Sequence, residues 1–450
     1  MENTLIARCA ATLAPLRAKH PTGRITDVGG AALIAKGLSG QVRLGDRVDI
    51  WRASGPLPAE VIRVADQEVA LLPDASAEGV GLHDPVILSP QRRFAPDNDW
   101  IGRVIDPDGR PLDHTPLLPG TGAARPLRAQ PPAAQGRRAL GERLGTGHAV
   151  FDTLLPIVRG QRIGLFAGSG VGKSTLLAGL ARQVAADVIV IGLVGERGRE
   201  LGHFLQDALG AEGLSRAVVV AATSDLAPQV RRRCALAATA VAEHFRDQGL
   251  HVLLLIDSVT RFAEAHREVA LAAGEAASLR GFPPSTASMI AALCERAGPG
   301  TEAADPPQGD ITAIYTVLVA GSDMEEPVAD MLRGVLDGHV VLDRGIAEGG
   351  RFPAVDVLRS VSRSLPQAAN MLENQMIAEA RSHLSRYDKA AMMIRAGLYV
   401  AGSDPQIDAA IAVQPALEGF LAQTGLRDTD ASFLALRQAL VAGQRRGPSR

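Results

Sequence analysis

Apolar residues change their spacing three times along this chain. Over Thr4 to Lys19, Leu5, Ile6, Cys9, Leu13 and Leu16 recur at helical spacing, which predicts a short helix limited by Pro15. That helix either packs on its own domain or serves as a docking handle for a partner protein or a membrane surface. From Gly23 to about Ser89 the pattern turns strand-like, in Ala31–Ala35, Gln41–Leu44, Arg47–Trp51 and Glu60–Val64, with Gly, Pro and Asp as punctuation. Short strands at that spacing predict a small all-β barrel or sandwich. From Gly147 to about Arg363, uninterrupted apolar runs such as Asp187–Val194, His251–Asp257 and Asp310–Ala320 alternate with helical stretches. Buried strands alternating with helices predict a parallel sheet covered by helices. From about Leu365 onward only helical patterns remain, in Met371–Ala380, Ala409–Val413 and Ser432–Val441.

These changes divide the 450 residues into a helical extension (1–22), a β-barrel domain (23–95), a connecting segment (96–145), an α/β domain (146–364) and a helical domain (365–450). The connecting segment carries a strand-turn-strand signal at Gly102–Pro111, with Asp108-Gly109 at the turn, and then a Pro- and Ala-rich strap around Gln130–Ala133. A content of 46% hydrophobic and 21% charged residues is that of a globular protein with a large core. A formal net charge of −2 does not point to nucleic acid or acidic lipid as a partner. Cys9, Cys234 and Cys294 are widely spaced and lack metal-ligand pattern, so they read as free thiols in a reducing compartment. No apolar run approaches the ~20 residues that span a bilayer, and a cytoplasmic location is expected. Trp51 reads as a core residue of the barrel rather than a platform for a base, because no basic and aromatic cluster surrounds it.

The chemistry centres on Ala167-Gly168-Ser169-Gly170-Val171-Gly172-Lys173-Ser174 and Thr175, between the apolar run Ile163–Phe166 and a helix-forming stretch. Backbone N–H groups can wrap a polyphosphate only where side chains are absent, and the following helix N-terminus favours negative charge. In such a loop Lys173 reaches the β/γ phosphates and Ser174 holds Mg²⁺. The loop departs from the strict P-loop pattern at Ala167, where the first glycine belongs. The strand Asp187–Val194 runs into Gly195-Glu196-Arg197-Gly198-Arg199-Glu200, where carboxylates at a strand end suit a water-activating base. A surface charge cluster is the other reading of that hexapeptide. Asp257 ends another apolar run, the place for an acid in the Mg²⁺ shell. Phe352, between Arg351 and Pro353, suits a stacking surface for a nucleobase or a place in the core.

Four ordered motifs, from Gly164, Val194, Ile256 and Arg351, together resemble the catalytic subunits of the F1/V/A rotary ATPases and their secretion relatives. The resemblance spans nearly the whole chain and implies a RecA-like ATPase core flanked by the barrel and the helical domain. It implies ATP and Mg²⁺ as the ligands, Glu196 as the catalytic glutamate, and Arg197 and Glu200 flanking the γ-phosphate and the metal. It further implies Asp257 as the metal acid, Phe352 as the adenine-stacking ring and Arg363 as an arginine finger reaching a neighbouring subunit's nucleotide. Non-catalytic rotary subunits carry an amide where Glu196 stands. The loop Ala167–Ser174, Ala242–Gly249 and Gly402-Ser403-Asp404-Pro405 with Ile407-Asp408 are similar to the flagellum-specific ATPases of type III export. Membership of that branch implies a homohexamer that energises unfolding and chaperone release of export substrates. It also implies a stator-like regulator at the N-terminus, a coiled-coil central stalk, chaperone–substrate complexes, a nearby membrane export gate and no nucleic acid. A virulence secretion ATPase and a rotary synthase subunit are the alternatives within the superfamily. A ring-shaped RNA translocase and a nucleotide-binding scaffold without turnover lie outside this reading.

Overall fold

The computed structural model describes residues 19–89, 94–113, 115–117, 124–319 and 324–444. Residues 1–18 of the N-terminal helical extension, Cys9 among them, and the basic tail Arg445–Arg450 lie outside the described residues. Six strands, β1 (Thr22–Asp27), β2 (Leu33–Lys36), β3 (Arg47–Arg52), β4 (Gly55–Val64), β5 (Glu68–Pro73) and β6 (Pro85–Leu88), close into a barrel in the order β1-β2-β5-β4-β3-β6. Closure leaves this small sheet without free edges. Ile25, Leu33, Ala35, Val48, Ile50, Val69 and Leu71 fill its interior at alternate positions along the strands.

Two expectations fail within the barrel. Trp51 is not in the core but 49% exposed. Val48 and Ile50 point inward, so the two-residue period turns Trp51 outward opposite Pro56. Gln41–Leu44 is a turn rather than a strand. The Gln41 N–H bonds the Leu38 carbonyl at 2.9 Å, and Asp46 accepts the Arg43 N–H at 2.7 Å.

The larger sheet contains β7 (Val104–Ile105), β8 (Arg162–Ala167), β9 (Val188–Glu196), β10 (Ala217–Thr223), β11 (Val252–Asp257), β12 (Gly298–Pro299), β13 (Asp310–Leu318), β14 (Gly338–Leu342) and β15 (Val355–Ser362). Its order is β15-β14-β8-β13-β11-β9-β10-β7, with β12 paired to β13. The pairs from β14 through to β7 are parallel, while β15 runs antiparallel to β14. Both faces are covered, which is why these strands read as continuous apolar runs. Ile189, Ile191 and Leu193 of β9 pack into one core, and Val188, Val190 and Val194 into the other. The connecting segment also contributes a strand to this sheet, since β7 pairs in parallel with β10. Its arginines tie it down further, with Arg125–Asp247 at 2.7 Å and Arg138–Asp310 at 2.6 Å.

Barrel and sheet are joined by buried charge. Helix α1 (Pro228–Arg246) presents Arg232 and Arg233 to the barrel rather than to solvent. Arg232 pairs with Glu60 at 2.5 Å, and Arg233 reaches Glu60 at 3.3 Å and Asp74 at 2.9 Å. Gln229 adds donated bonds to the Leu72 carbonyl at 3.1 Å and Asp74 at 3.0 Å. Removing one partner of such a cluster would strand a buried charge.

The C-terminal part is three helices, α2 (Met371–Arg395), α3 (Pro405–Leu421) and α4 (Thr429–Gln444). Asn370 and Glu373 form a reciprocal capping box at the start of α2. Glu373 also receives both guanidinium nitrogens of Arg143, at 3.0 and 3.1 Å. Buried Asp152 accepts the Ser432 hydroxyl at 2.8 Å, anchoring α4 to the sheet domain. No helix among the described residues is long and apolar enough to cross a membrane.

Candidate nucleotide site

The phosphate loop leaves β8 at Ala167 and enters the helix Lys173–Gln183. Gly170 and Gly172 adopt positive φ, 76° and 84°, a region that favours glycine. A Cβ at Gly170 would meet nothing within 4 Å, so the cradle is open there. Ala167 is the last residue of β8, fully buried and paired with Leu318 and Leu342. Its backbone is ordinary strand, so alanine costs nothing where the strict pattern has glycine. Ser174 and Thr175 are exposed at the start of the helix.

Three strand ends bring the reactive groups together beside this loop. Asp257 ends β11, Glu196 ends β9, and Thr316 lies near the end of β13, between β8 and β11. Ligands of open parallel sheets sit at such carboxyl ends. The Lys173 ammonium pairs closely with Asp257 and lies 3.9 Å from Glu196 Oε1. The Thr316 hydroxyl donates to the same Asp257 oxygen, Oδ1, at 2.6 Å. Thr316 was not legible as a site residue in the sequence. Its one signal is a hydroxyl inside an otherwise apolar buried strand.

Glu196 is pushed up to about 7 by burial, then by the Asp257 charge, with Lys173 opposing and the Glu200 contact adding to the rise. Glu200 moves the other way, held down first by the hydrogen bond from Glu196 and then by Arg197. Below pH ~7 Glu196 is therefore the protonated member of the pair, and Glu200 accepts from it. Arg197, exposed, bonds Glu200 at 2.9 Å. Glu200 thus sits on the solvent side of Glu196, one step outside the Lys173–Asp257 pair.

This arrangement fixes a pH dependence. The folded value of about 7 lies above the ordinary 4.5, so stability associated with protonated Glu196 is present below pH ~4.5 and lost as pH rises through ~7. In nucleotide-free protein, Glu196→Gln is expected to raise Tm relative to wild type by an amount that grows between those limits and then levels. The expected scale is about 2–4 °C per kcal/mol relieved. Scanning calorimetry from pH 5 to 8 checks it, and a pH-independent difference would contradict the burial assigned to this carboxyl.

Phe352 is 50% exposed and stands over the loop, so close that a Cβ at Gly172 would meet its ring at 3.2 Å. Arg351 holds this segment, donating to the Val355 carbonyl at 3.0 Å and pairing with Glu418 of α3 at 2.7 Å. Arg363 lies elsewhere. Its backbone N–H bonds the Asp337 carbonyl, and the Asp337 N–H bonds the Arg162 carbonyl. That level is the start of β8, whereas the phosphate loop begins five residues on, about 16 Å away at roughly 3.3 Å per residue. The Arg363 side chain is exposed and donates to the Arg333 carbonyl at 3.3 Å.

Residues 147–362 match the nucleotide-binding domain of the ATP synthase alpha/beta family, and residues 372–441 match the C-terminal domain of the type III secretion ATPase EscN. A flagellum-specific ATP synthase of Caulobacter vibrioides is 44% identical over 93% of this chain and 95% of its own length. The chain belongs to the ATP synthase alpha/beta family, in its type III export branch. A second relative, the flagellum-specific ATP synthase of Salmonella typhimurium, is 41% identical over 93% of each chain. Among solved structures, the assembled EscN of enteropathogenic E. coli superposes with a TM-score of 0.84 at 37% identity, covering 93% of this chain and all of that one. EscN in complex with its central stalk EscO gives a TM-score of 0.82 at 38% identity, with the same coverage.

The residues present fit a nucleotide carrying Mg²⁺. Among the described residues no group of three or more His, Cys, Asp or Glu side chains could hold a metal alone. Mg²⁺ is usually held by one or two carboxylates together with substrate phosphates and waters. The Ser174 hydroxyl and Asp257 beside an open phosphate cradle supply that set.

Proposed function

We propose that this ATPase hydrolyses ATP as a homohexameric ring that energises flagellar type III protein export, unfolding substrates and releasing them from chaperones. The carrying observation is the convergence of Lys173, Asp257 and Glu196 at the phosphate loop while Arg363 lies at the other end of the same sheet. On nucleotide binding Lys173 leaves Asp257 for the β/γ phosphates, and the loop from Gly168 to Thr175 encloses them. Ser174 and Asp257 hold the Mg²⁺ that accompanies the nucleotide, with Glu200 and Arg197 flanking the γ-phosphate. Glu196 takes the proton of the attacking water as the water oxygen bonds phosphorus and the bond to ADP breaks. A base whose pKa lies near the working pH suits that transfer. Phe352 stacks on adenine.

Arg363 cannot serve its own chain's loop across that distance, so it completes the site of a neighbour. The flagellar reading rests on relatives bearing that name, and the virulence alternative on the likeness to EscN. The EscN–EscO complex supports a central stalk for this ring. The N-terminal regulator, the chaperone–substrate complexes and a cytoplasmic position at the membrane export gate belong to the same proposal. ATPase rate per chain, measured against protein concentration, is the direct test. It is expected to rise steeply over the range in which rings form by light scattering. A rate per chain that stays flat through that range would remove the ring from the mechanism.

A further inference from the structure

Asp257 carries two donors on one oxygen, and one of them is due to leave. Lys173 and Thr316 both address Oδ1. Once Lys173 turns to phosphate, Asp257, only 3% exposed, is left among the strand ends with Glu196 nearby. A buried carboxylate that loses its counter-charge needs a remaining donor. Thr316 is placed to be that donor. Its residue is fully buried, and its strand β13 lies between β8, which carries the phosphate loop, and β11, which carries Asp257. Pairing of Leu165 with Thr316 on one side and of Ile256 with Tyr315 on the other fixes that register. The end of β13 is itself pinned, because the Leu318 N–H donates to the Thr260 hydroxyl at 2.8 Å. The hydroxyl is therefore held by backbone on both sides rather than by a mobile loop.

We infer that Thr316 is a positioning residue that fixes the Asp257 carboxylate by Oδ1 and so keeps it oriented to hold the metal that would enter with the nucleotide. Thr316 acts through Asp257, which accepts its hydroxyl. The inference rests on the reading of Asp257 as the metal-holding acid, and the test separates the two.

Equilibrium binding of a fluorescent ADP analogue is measured with and without Mg²⁺ for wild type, Thr316→Val, Thr316→Ser and Asp257→Asn. Thr316→Val keeps the shape of the side chain and removes the donor. It is expected to leave metal-free affinity unchanged, because the loop and Lys173 are intact, and to cut the gain in affinity on adding Mg²⁺ by roughly tenfold, the scale of a hydrogen bond to a charged group. Thr316→Ser, which keeps the hydroxyl, is expected to restore the gain and covers the case in which valine impairs folding. A wild-type gain in Thr316→Val beside a lost gain in Asp257→Asn would overturn the role of Thr316 alone. An equal loss in Thr316→Ser and Thr316→Val would overturn it too. A full gain in Asp257→Asn would overturn both the inference and the reading beneath it.

Discussion

Glu196→Gln is expected to lower kcat by about 10²–10⁴-fold, the range typical of a positioned general base, while nucleotide still binds. The amide has the size of the carboxyl and can still hydrogen-bond Glu200, so the strand end and the phosphate loop keep their shape. What it lacks is the capacity to take the proton of water. The loop glycines, Lys173 and Asp257 are untouched, so affinity for the labelled nucleotide should stay within a few-fold of wild type. Single-turnover hydrolysis against equilibrium binding separates the two quantities. A kcat within a few-fold of wild type would assign the proton to another group and leave Glu196 as part of a charged rim.

The second large effect concerns Arg363. Arg363→Ala is expected to lose about 10³–10⁵-fold in rate, as other phosphoryl-transfer sites do without their arginine. Its position at the far end of β8 adds a sharper expectation for mixtures. Chains with Glu196→Gln keep Arg363, and chains with Arg363→Ala keep Glu196. Where the first chain abuts the site of the second, both groups are intact, so mixing two inactive proteins before assembly should recover a fraction of wild-type activity. An arginine acting within its own chain could never complement in this way. Assayed at fixed total protein over a range of mixing ratios, activity should peak at intermediate composition, and a flat line at zero would overturn the assignment of Arg363 to a neighbour's site.

How much of this was legible depends on how far apart the interacting residues lie in the chain. The phosphate loop was readable because strand, glycines, lysine and helix are consecutive, and Glu196 and Asp257 because each ends an apolar run. Trp51 was misplaced because the lack of a basic and aromatic cluster around it was read as burial, against the alternation set by Val48 and Ile50 in the same stretch. The partners of Arg232 and Arg233 could not be read at all, since Glu60 lies 172 and 173 positions away. Nor could Thr316, whose meaning depends on a strand order that places β13 between two others. The position of Arg363 needed the antiparallel pairing of β14 with β15, which reverses the chain and carries the arginine away from its own loop.

That reversal also leaves β15 as the outermost strand on its side of the sheet. Arg359 and Val361 alternate along it and Arg363 follows directly after its end, all exposed, and Arg381 of α2 donates to the Ser360 carbonyl at 3.2 Å. Outer strands with bare backbone recruit other strands, and charged side chains discourage that recruitment. Before assembly, the newly made chain presents this border to a crowded cell. On the proposed reading, the arginine that serves a neighbour's site would also discourage pairing at this border until that neighbour arrives.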